Sequence, residues 1–315
     1  MKIKNMSRDV LKGECILIIV SLLWGSSFLF QKKGMDYVGP FTLGACRFLL
    51  GALILLPIVI ISSKKKSYEN EKKQMLSKNI DSSDEKELLK AGLQCGIAMF
   101  FAASLEQIGL VYTTSGKAGF ITSMEIIVVA VITIFTTKRL ESNTAFGIIT
   151  AMTGLYMLCI NGKMTFQYGD SVVLLSCLFW GIQIMLVDKY SKTVDEIKLS
   201  FIEFLISGLM SCVCMVLFET PHINDIKACM IPILYTGVIE IALCYTLQII
   251  GQKYVPPVIS AVTLTLESVF AVFFGAVFMN ELMSLREFSG CILMLCAVII
   301  VQIPSSKKHV LIFHS

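Results

Sequence analysis

Apolar residues in this chain come in long unbroken runs, not in alternation with polar ones. Cutting at the charged and turn-forming clusters leaves ten such runs, near 15–31, 40–61, 91–112, 118–136, 143–160, 170–188, 198–218, 230–250, 257–278 and 286–303. Each is about 17–25 residues long, the length of helix that crosses a bilayer core. A membrane strand would be about ten residues long and would alternate apolar with polar positions. The pattern therefore predicts an all-α integral membrane protein with ten transmembrane helices.

The runs also repeat. LWGSSFLFQKK (23–33) aligns with FWGIQIMLVDK (179–189), and CRFLLGAL (46–53) with IEFLISGL (202–209), at one offset of 156. Further on the offset becomes 142, and Gly109, Tyr112 and Glu125 fall on Gly251, Tyr254 and Glu267. The register change of 14 residues is absorbed by a longer connection at 62–90 in the first half. The chain divides into repeats at 14–160 and 169–304. Five helices per repeat is an odd number, so the second repeat enters the membrane inverted relative to the first.

Composition and charge add compartment and orientation. The chain is 55% hydrophobic and 16% charged, with a mean hydropathy of +0.76, which leaves too little polar surface for a soluble protein of 315 residues. Lys2, Lys4, Arg8 and Lys12 precede the first run as they would in a signal peptide. Its repeat partner around Trp180 and the lack of a small-residue cleavage site predict a retained helix instead. With both termini on one side, 20 of the 27 Lys and Arg residues share that side and six lie opposite, while Arg47 sits within a helix. This bias predicts a multi-pass protein of the inner, cytoplasmic membrane with both ends in the cytoplasm. Segment 62–90, with eight lysines and six acids, reads as a solvated cytoplasmic linker. The net charge of +4 reflects this loop bias and gives no reason to expect a nucleic-acid partner. Eleven cysteines, nearly all inside apolar runs, read as small hydrophobes, and His222, His309 and His314 have no metal-ligand spacing.

The motifs LLWGSSF, the Pro40–Gly51 stretch with Arg47, QIGLVYTTSGKAGFIT (107–122), LFWG and GQKYVPPVISAVTLTLESVFAVFFGAVFMNELMS (251–284) resemble the drug/metabolite transporter superfamily. The likeness is to proteins with two EamA-type repeats, and it covers about 14 to 304. It implies ten helices, inverted five-helix repeats and secondary transport of small metabolites, often export. In two places the chain departs from the pattern. Arg139 stands where the second half has Glu281, and Ile126 follows Glu125 where many relatives carry Pro.

Charges within a bilayer cost roughly 2.5–3.5 kcal/mol each at a helix centre, so those retained point to function. Six lie within the predicted spans: Arg47, Glu106, Glu125, Glu203, Glu240 and Glu267. Counting ~1.5 Å per residue puts Arg47, Glu106 and Glu125 at about 9–11 Å from the outer boundary. Glu240 and Glu267 fall near the midplane, and Glu203 about 8 Å from the inner boundary. Arg47 and Glu203 are repeat equivalents that inversion separates. Arg47 is thus expected to meet Glu106 and Glu125, either as a network holding helices together or as a gate. Glu240 and Glu267 are expected to lack a basic neighbour and to bind protons or a cationic amine. Gln107 and Gln248 supply amides within helices, and Trp24 and Trp180 supply equivalent rings for packing or for stacking on a substrate. Lys117 lies at the outer interface. Its motif TTSGKAG fails as a phosphate loop because Gly109 is too far upstream and Ala118 follows the Lys.

These residues fit a secondary transporter for an amino acid or amine, working by alternating access and coupled to protons, with no cofactor. A channel, or a lipid-handling membrane enzyme, is the competing class. The enzyme would need a nucleophile, metal or phosphate set that the sequence does not display.

Overall fold

The computed structural model describes residues 2–74, 82–113, 115–160, 167–279, 284–303 and 310–312. Among them the chain forms ten membrane-crossing helices. The first five are α1 (Lys2–Gly34), α2 (Pro40–Gln74), α3 (Ser82–Tyr112), α4 (Ser115–Thr122 and Glu125–Thr137) and α5 (Ser142–Cys159). The second five are α6 (Tyr168–Tyr190), α7 (Glu196–Phe218), α8 (Met230–Gln252), α9 (Pro257–Leu264 and Leu266–Met279) and α10 (Leu285–Gln302). Eight are long and apolar enough singly to cross a bilayer, and α9 contributes a shorter apolar helix over Pro257–Phe273. The remaining helix, α5, has the same 18 residues as α10. Burial is inside-out relative to a soluble protein. Leu53, Phe135, Ile149 and Val216 are exposed, whereas Arg47, Glu203, Gln183 and Glu240 are buried.

Local chemistry sets the ends. Asp170 and Gln167 form a capping box on α6, Ser284 and Glu287 form one on α10, and Asp195 accepts from Lys198 N at the start of α7. Pro257 occupies the first turn of α9, where its missing N–H costs nothing. Lys138 ends α4 in the left-handed conformation (φ 57°). Two boundaries differ from those the sequence predicts. Helix α2 runs on to Gln74 and α3 begins at Ser82, so much of segment 62–90 is helical and not a free linker. Its run KKKSYENEKK contains no Pro or Gly to stop a helix and is rich in Lys and Glu, which favour one. Arg139–Glu141 and Val310–Ile312 form a short antiparallel pair, a small exception to the all-α pattern. This pair joins the α4–α5 connection to the C-terminal end. Glu281 of the α9–α10 connection lies outside the described residues.

The packing repeats as the sequence does. Helix α3 lies on α6 and α8 on α1, α4 on α6 and α9 on α1, and α3 on α7 and α8 on α2. The pairs α2–α7 and α5–α10 map onto themselves, as elements straddling a two-fold axis must. The closest approaches are also equivalent. A Cβ on Gly109 would sit 2.9 Å from Gly169 O, and one on Gly169 2.7 Å from Gly109 O. In the other half, a Cβ on Gly13 would sit 2.8 Å from Gly251 O. Only glycine admits backbones this close. The first pair crosses at one membrane face and the second at the face holding the chain ends, which we call the terminal face. There Lys253 donates to Glu196 at the start of α7, and that partner pushes the Lys253 pKa up.

Candidate functional site

A cavity of ≈ 540 Å³ lies between the two repeats near mid-membrane. Helix α1 lines it with Trp24, Ser27, Phe28 and Gln31, spaced to share one helical face. Glu106 enters from α3, Thr122 and Glu125 from the break in α4, and Trp180 and Ile184 from α6. Helix α8 brings Glu240, Tyr245 and Gln248, and the break in α9 brings Leu264, Thr265 and Glu267. Four carboxylates and four aromatic side chains thus face one space, and no basic residue lines it among the described residues.

The backbone explains the convergence. Residues Thr236–Tyr245 of α8 form a π-helix, which aligns positions five apart and so turns Glu240 and Tyr245 toward the same cavity. Both α4 and α9 break at mid-membrane, and Glu125 and Glu267 stand in the first turn of the second piece of each. Tyr245 lies between the two tryptophans. Its ring centroid is 5.8 Å from that of Trp180 at 12° and 4.8 Å from that of Trp24 at 55°.

Two of the carboxylates are tied and two are free. Glu240 Oε1 accepts from Arg47 Nη1 at 2.8 Å and from Gln31 Nε2 at 2.9 Å, and Gln107 donates in turn to Gln31. Glu106 Oε2 accepts from Trp180 Nε1 at 2.7 Å. Glu125 and Glu267 have no hydrogen-bond partner among the described residues, and both are only half-buried, toward the cavity. The expectation that Arg47 meets Glu106 and Glu125, leaving Glu240 without a cation, is corrected by this arrangement. Helices α2 and α8 run in the same direction, and their charged residues differ in depth by only about 4 Å at 1.5 Å per residue. A guanidinium on its long stem spans that difference. Gln107 and Arg47 therefore stand behind the cavity wall.

The other sequence candidates lie elsewhere. Glu203 is fully buried on α7 and accepts from Gln183 Nε2 at 2.9 Å. Lys117 pairs at 3.5 Å with Asp170 at the far end of α6, where Thr113 also donates to Asp170. Gln31 and Tyr245 escaped the sequence reading. The first closes its apolar run like a boundary residue, and the second has its place only through the π-helix. The spacing of Trp24, Ser27, Phe28 and Gln31 was the available signal for the α1 face.

The model of the EamA-like transporter family matches residues 11–160 and again 167–303, one match per repeat. The chain belongs to that family. Among its relatives is an uncharacterised transporter of Archaeoglobus fulgidus, 29% identical over 91% of this chain and 84% of its own length. The uncharacterised transporter YoaV of Bacillus subtilis is 22% identical over 93% and 98%. A crystal structure at 15% identity superposes with a TM-score of 0.73 over 92% of this chain and 96% of its own, which shows a shared fold. Family membership makes the protein a membrane transporter of a small molecule.

The EamA repeats also differ at equivalent positions of the cavity wall. The offsets that relate Trp24 to Trp180 and Glu125 to Glu267 relate Gln248 to Glu106. Trp180 donates to Glu106, yet Trp24 Nε1 and Gln248 Oε1 are both buried with no hydrogen-bond partner among the described residues. The helix pieces show the same asymmetry. On the terminal face the first piece of α9 packs on the second piece of α4, joining Ala261 and Val262 with Ile126 and Val129 in one apolar cluster. No comparable packing joins the first piece of α4 to the second piece of α9 among the described residues. There, Ser268 Oγ lies 4.0 Å from the Cβ position of Gly119. The broken helices thus pack more closely on the terminal side of the cavity.

Proposed function

We propose that the protein is a secondary active transporter that exchanges protons for a small amine-bearing metabolite across the cytoplasmic membrane by alternating access. The terminal face is the cytoplasmic one, as the loop charges suggest. The observation that carries the reading is the pair Glu125 and Glu267, one from each repeat, lining one cavity without a cation or donor. A carboxylate without a partner in a partly desolvated cavity favours taking up a proton or a cation, and the same carboxylate cannot hold both. Competition of this kind yields antiport. A proton entering from outside displaces the amine, and the amine entering from the cytoplasm displaces the proton. The inward proton gradient then drives export.

The asymmetry between the repeats supports alternating access. If inverted repeats exchange conformations, Trp180 releases Glu106 while Trp24 engages Gln248, and the packing of α9 on α4 passes to the opposite face. Reconstitution into liposomes tests the reading. Saturable counterflow of a primary amine, with proton movement opposite to it, is expected, and Glu267→Gln should abolish the proton coupling. Non-saturable flux without counterflow would make the protein a channel, and a wild-type pH response in both Glu267→Gln and Glu125→Gln would overturn the proposal.

A further inference from the structure

We infer that the cavity is built for a dication with two equivalent ends, a short α,ω-diamine. This rests on the amine reading above and narrows it.

The two free carboxylates are not merely neighbours. Glu125 and Glu267 are repeat equivalents, each in the first turn after a helix break, each facing the cavity from its own half. A pair related by a pseudo-two-fold axis offers the same chemistry in two places. A ligand matches such a site best when its own ends are alike and each carries a positive charge. The walls between suit the alkyl stem and charged heads of a diamine, because Trp24 and Trp180 are themselves equivalents with Tyr245 between them. The fixed charges disfavour the obvious competitor. An amino acid's carboxylate would meet four carboxylates and no cation, since Arg47 is spent on Glu240 behind the wall and only neutral donors such as Trp24 Nε1 and Thr122 Oγ1 stand without a partner among the described residues. A monoamine would leave one free carboxylate unneutralised in a partly desolvated space, which is costly unless a proton accompanies it.

Isothermal titration of the purified full-length protein in detergent, at mildly alkaline pH where primary amines stay charged, tests the inference. The probes are putrescine, butylamine and γ-aminobutyrate, which share a four-carbon stem. Putrescine should bind at least about tenfold tighter than either of the others. Glu125→Gln and Glu267→Gln should each bring putrescine down to the affinity of butylamine while butylamine itself is retained. Should either variant fail to fold, wild-type protein titrated with diamines and monoamines of increasing stem length gives the same comparison. A diamine that binds no tighter than its monoamine, or γ-aminobutyrate that binds as well as putrescine, overturns the two-ended site. Butylamine binding in that case leaves the amine reading standing. No heat from any amine, in protein that keeps its thermal transition, overturns the amine reading and this inference with it.

Discussion

Trp180 and Trp24 hold the same place in two copies of one five-helix unit, yet one indole is bonded and the other is not. Trp180 meets a carboxyl group, Glu106, while at the equivalent places Trp24 Nε1 and Gln248 Oε1 have no hydrogen-bond partner among the described residues. Around Trp180 the first piece of α4 packs less closely on the second piece of α9 than, around Trp24, the first piece of α9 packs on the second piece of α4. Duplication supplied two equal hinges, and the sequence then made them unequal. For the two-state carrier proposed above, an asymmetric bond between symmetric parts would mark one state. The carboxyl acceptor Glu106 would weight the balance toward the arrangement seen.

The largest expected effect comes from an interaction that has no counterpart in the other repeat. Arg47 is matched by Glu203, so the Arg47–Glu240 pair is unique to one half. Glu240→Ala leaves a buried guanidinium unpaired and should cost about 3–5 kcal/mol, read as a fall in thermal unfolding midpoint. Replacing both members, Arg47→Met with Glu240→Met, should recover most of that loss. If the single substitution is neutral, the pair is not part of what makes the halves differ.

The comparison itself breaks at the indoles. Glu106→Gln makes the two acceptors alike, and it turns the bond from Trp180 from one to a carboxylate into a neutral one, worth about 0.5–1.5 kcal/mol. Gln248→Glu also makes them alike, by giving Trp24 the acceptor that Trp180 has. Each should raise the fraction of protein open to the terminal face. Distances between spin labels on the two pieces of α4 and α9 measure that fraction. Equal distance distributions in wild type and both variants would mean that the indole bonds do not report the state.

A third substitution pair asks whether the crossings are equivalent, as their geometry implies. Gly13→Ala and its repeat equivalent Gly169→Ala each place a methyl group under 3 Å from backbone or side-chain atoms of the partner helix. Each should cost about 1–3 kcal/mol by overpacking, and the two costs should agree. A large difference in unfolding midpoint would show that one crossing yields and the other does not.

What could be read in the chain and what could not divides along the same line. Ten runs and two offsets are local patterns, so the spans, the duplication and its inversion followed from counting. Glu106, Glu125, Glu240 and Glu267 were visible because a charge in an apolar run stands out. Their partners were not. Arg47 was assigned by depth from the ends of its span, and depth ignores the reach of the side chain. Gln31 and Tyr245 look like a span end and an ordinary aromatic until the α1 face and the π-helix place them. Glu14 fell one residue outside the first run, yet it is buried, with Thr263 donating to it at 2.9 Å.

Glu14 and Asp170 are equivalents at the offset of 156, and they sharpen the comparison with the smallest effect. Asp170 is fully used. It caps α6, accepts from Thr113 and pairs with Lys117, which is itself only 19% exposed. Asp170→Asn should cost about 1 kcal/mol through the cap and the ion pair. Glu14 has one oxygen bonded to Thr263 and the other buried with no partner among the described residues. Glu14→Gln keeps an acceptor for Thr263 and removes a buried charge that lacks a basic partner. Its unfolding midpoint should stay within error of wild type or rise. The same position in the two repeats is thus expected to respond with opposite sign to loss of one charge. A fall in midpoint for Glu14→Gln as large as that for Asp170→Asn would mean that the acid at the terminal face is held as firmly as its equivalent.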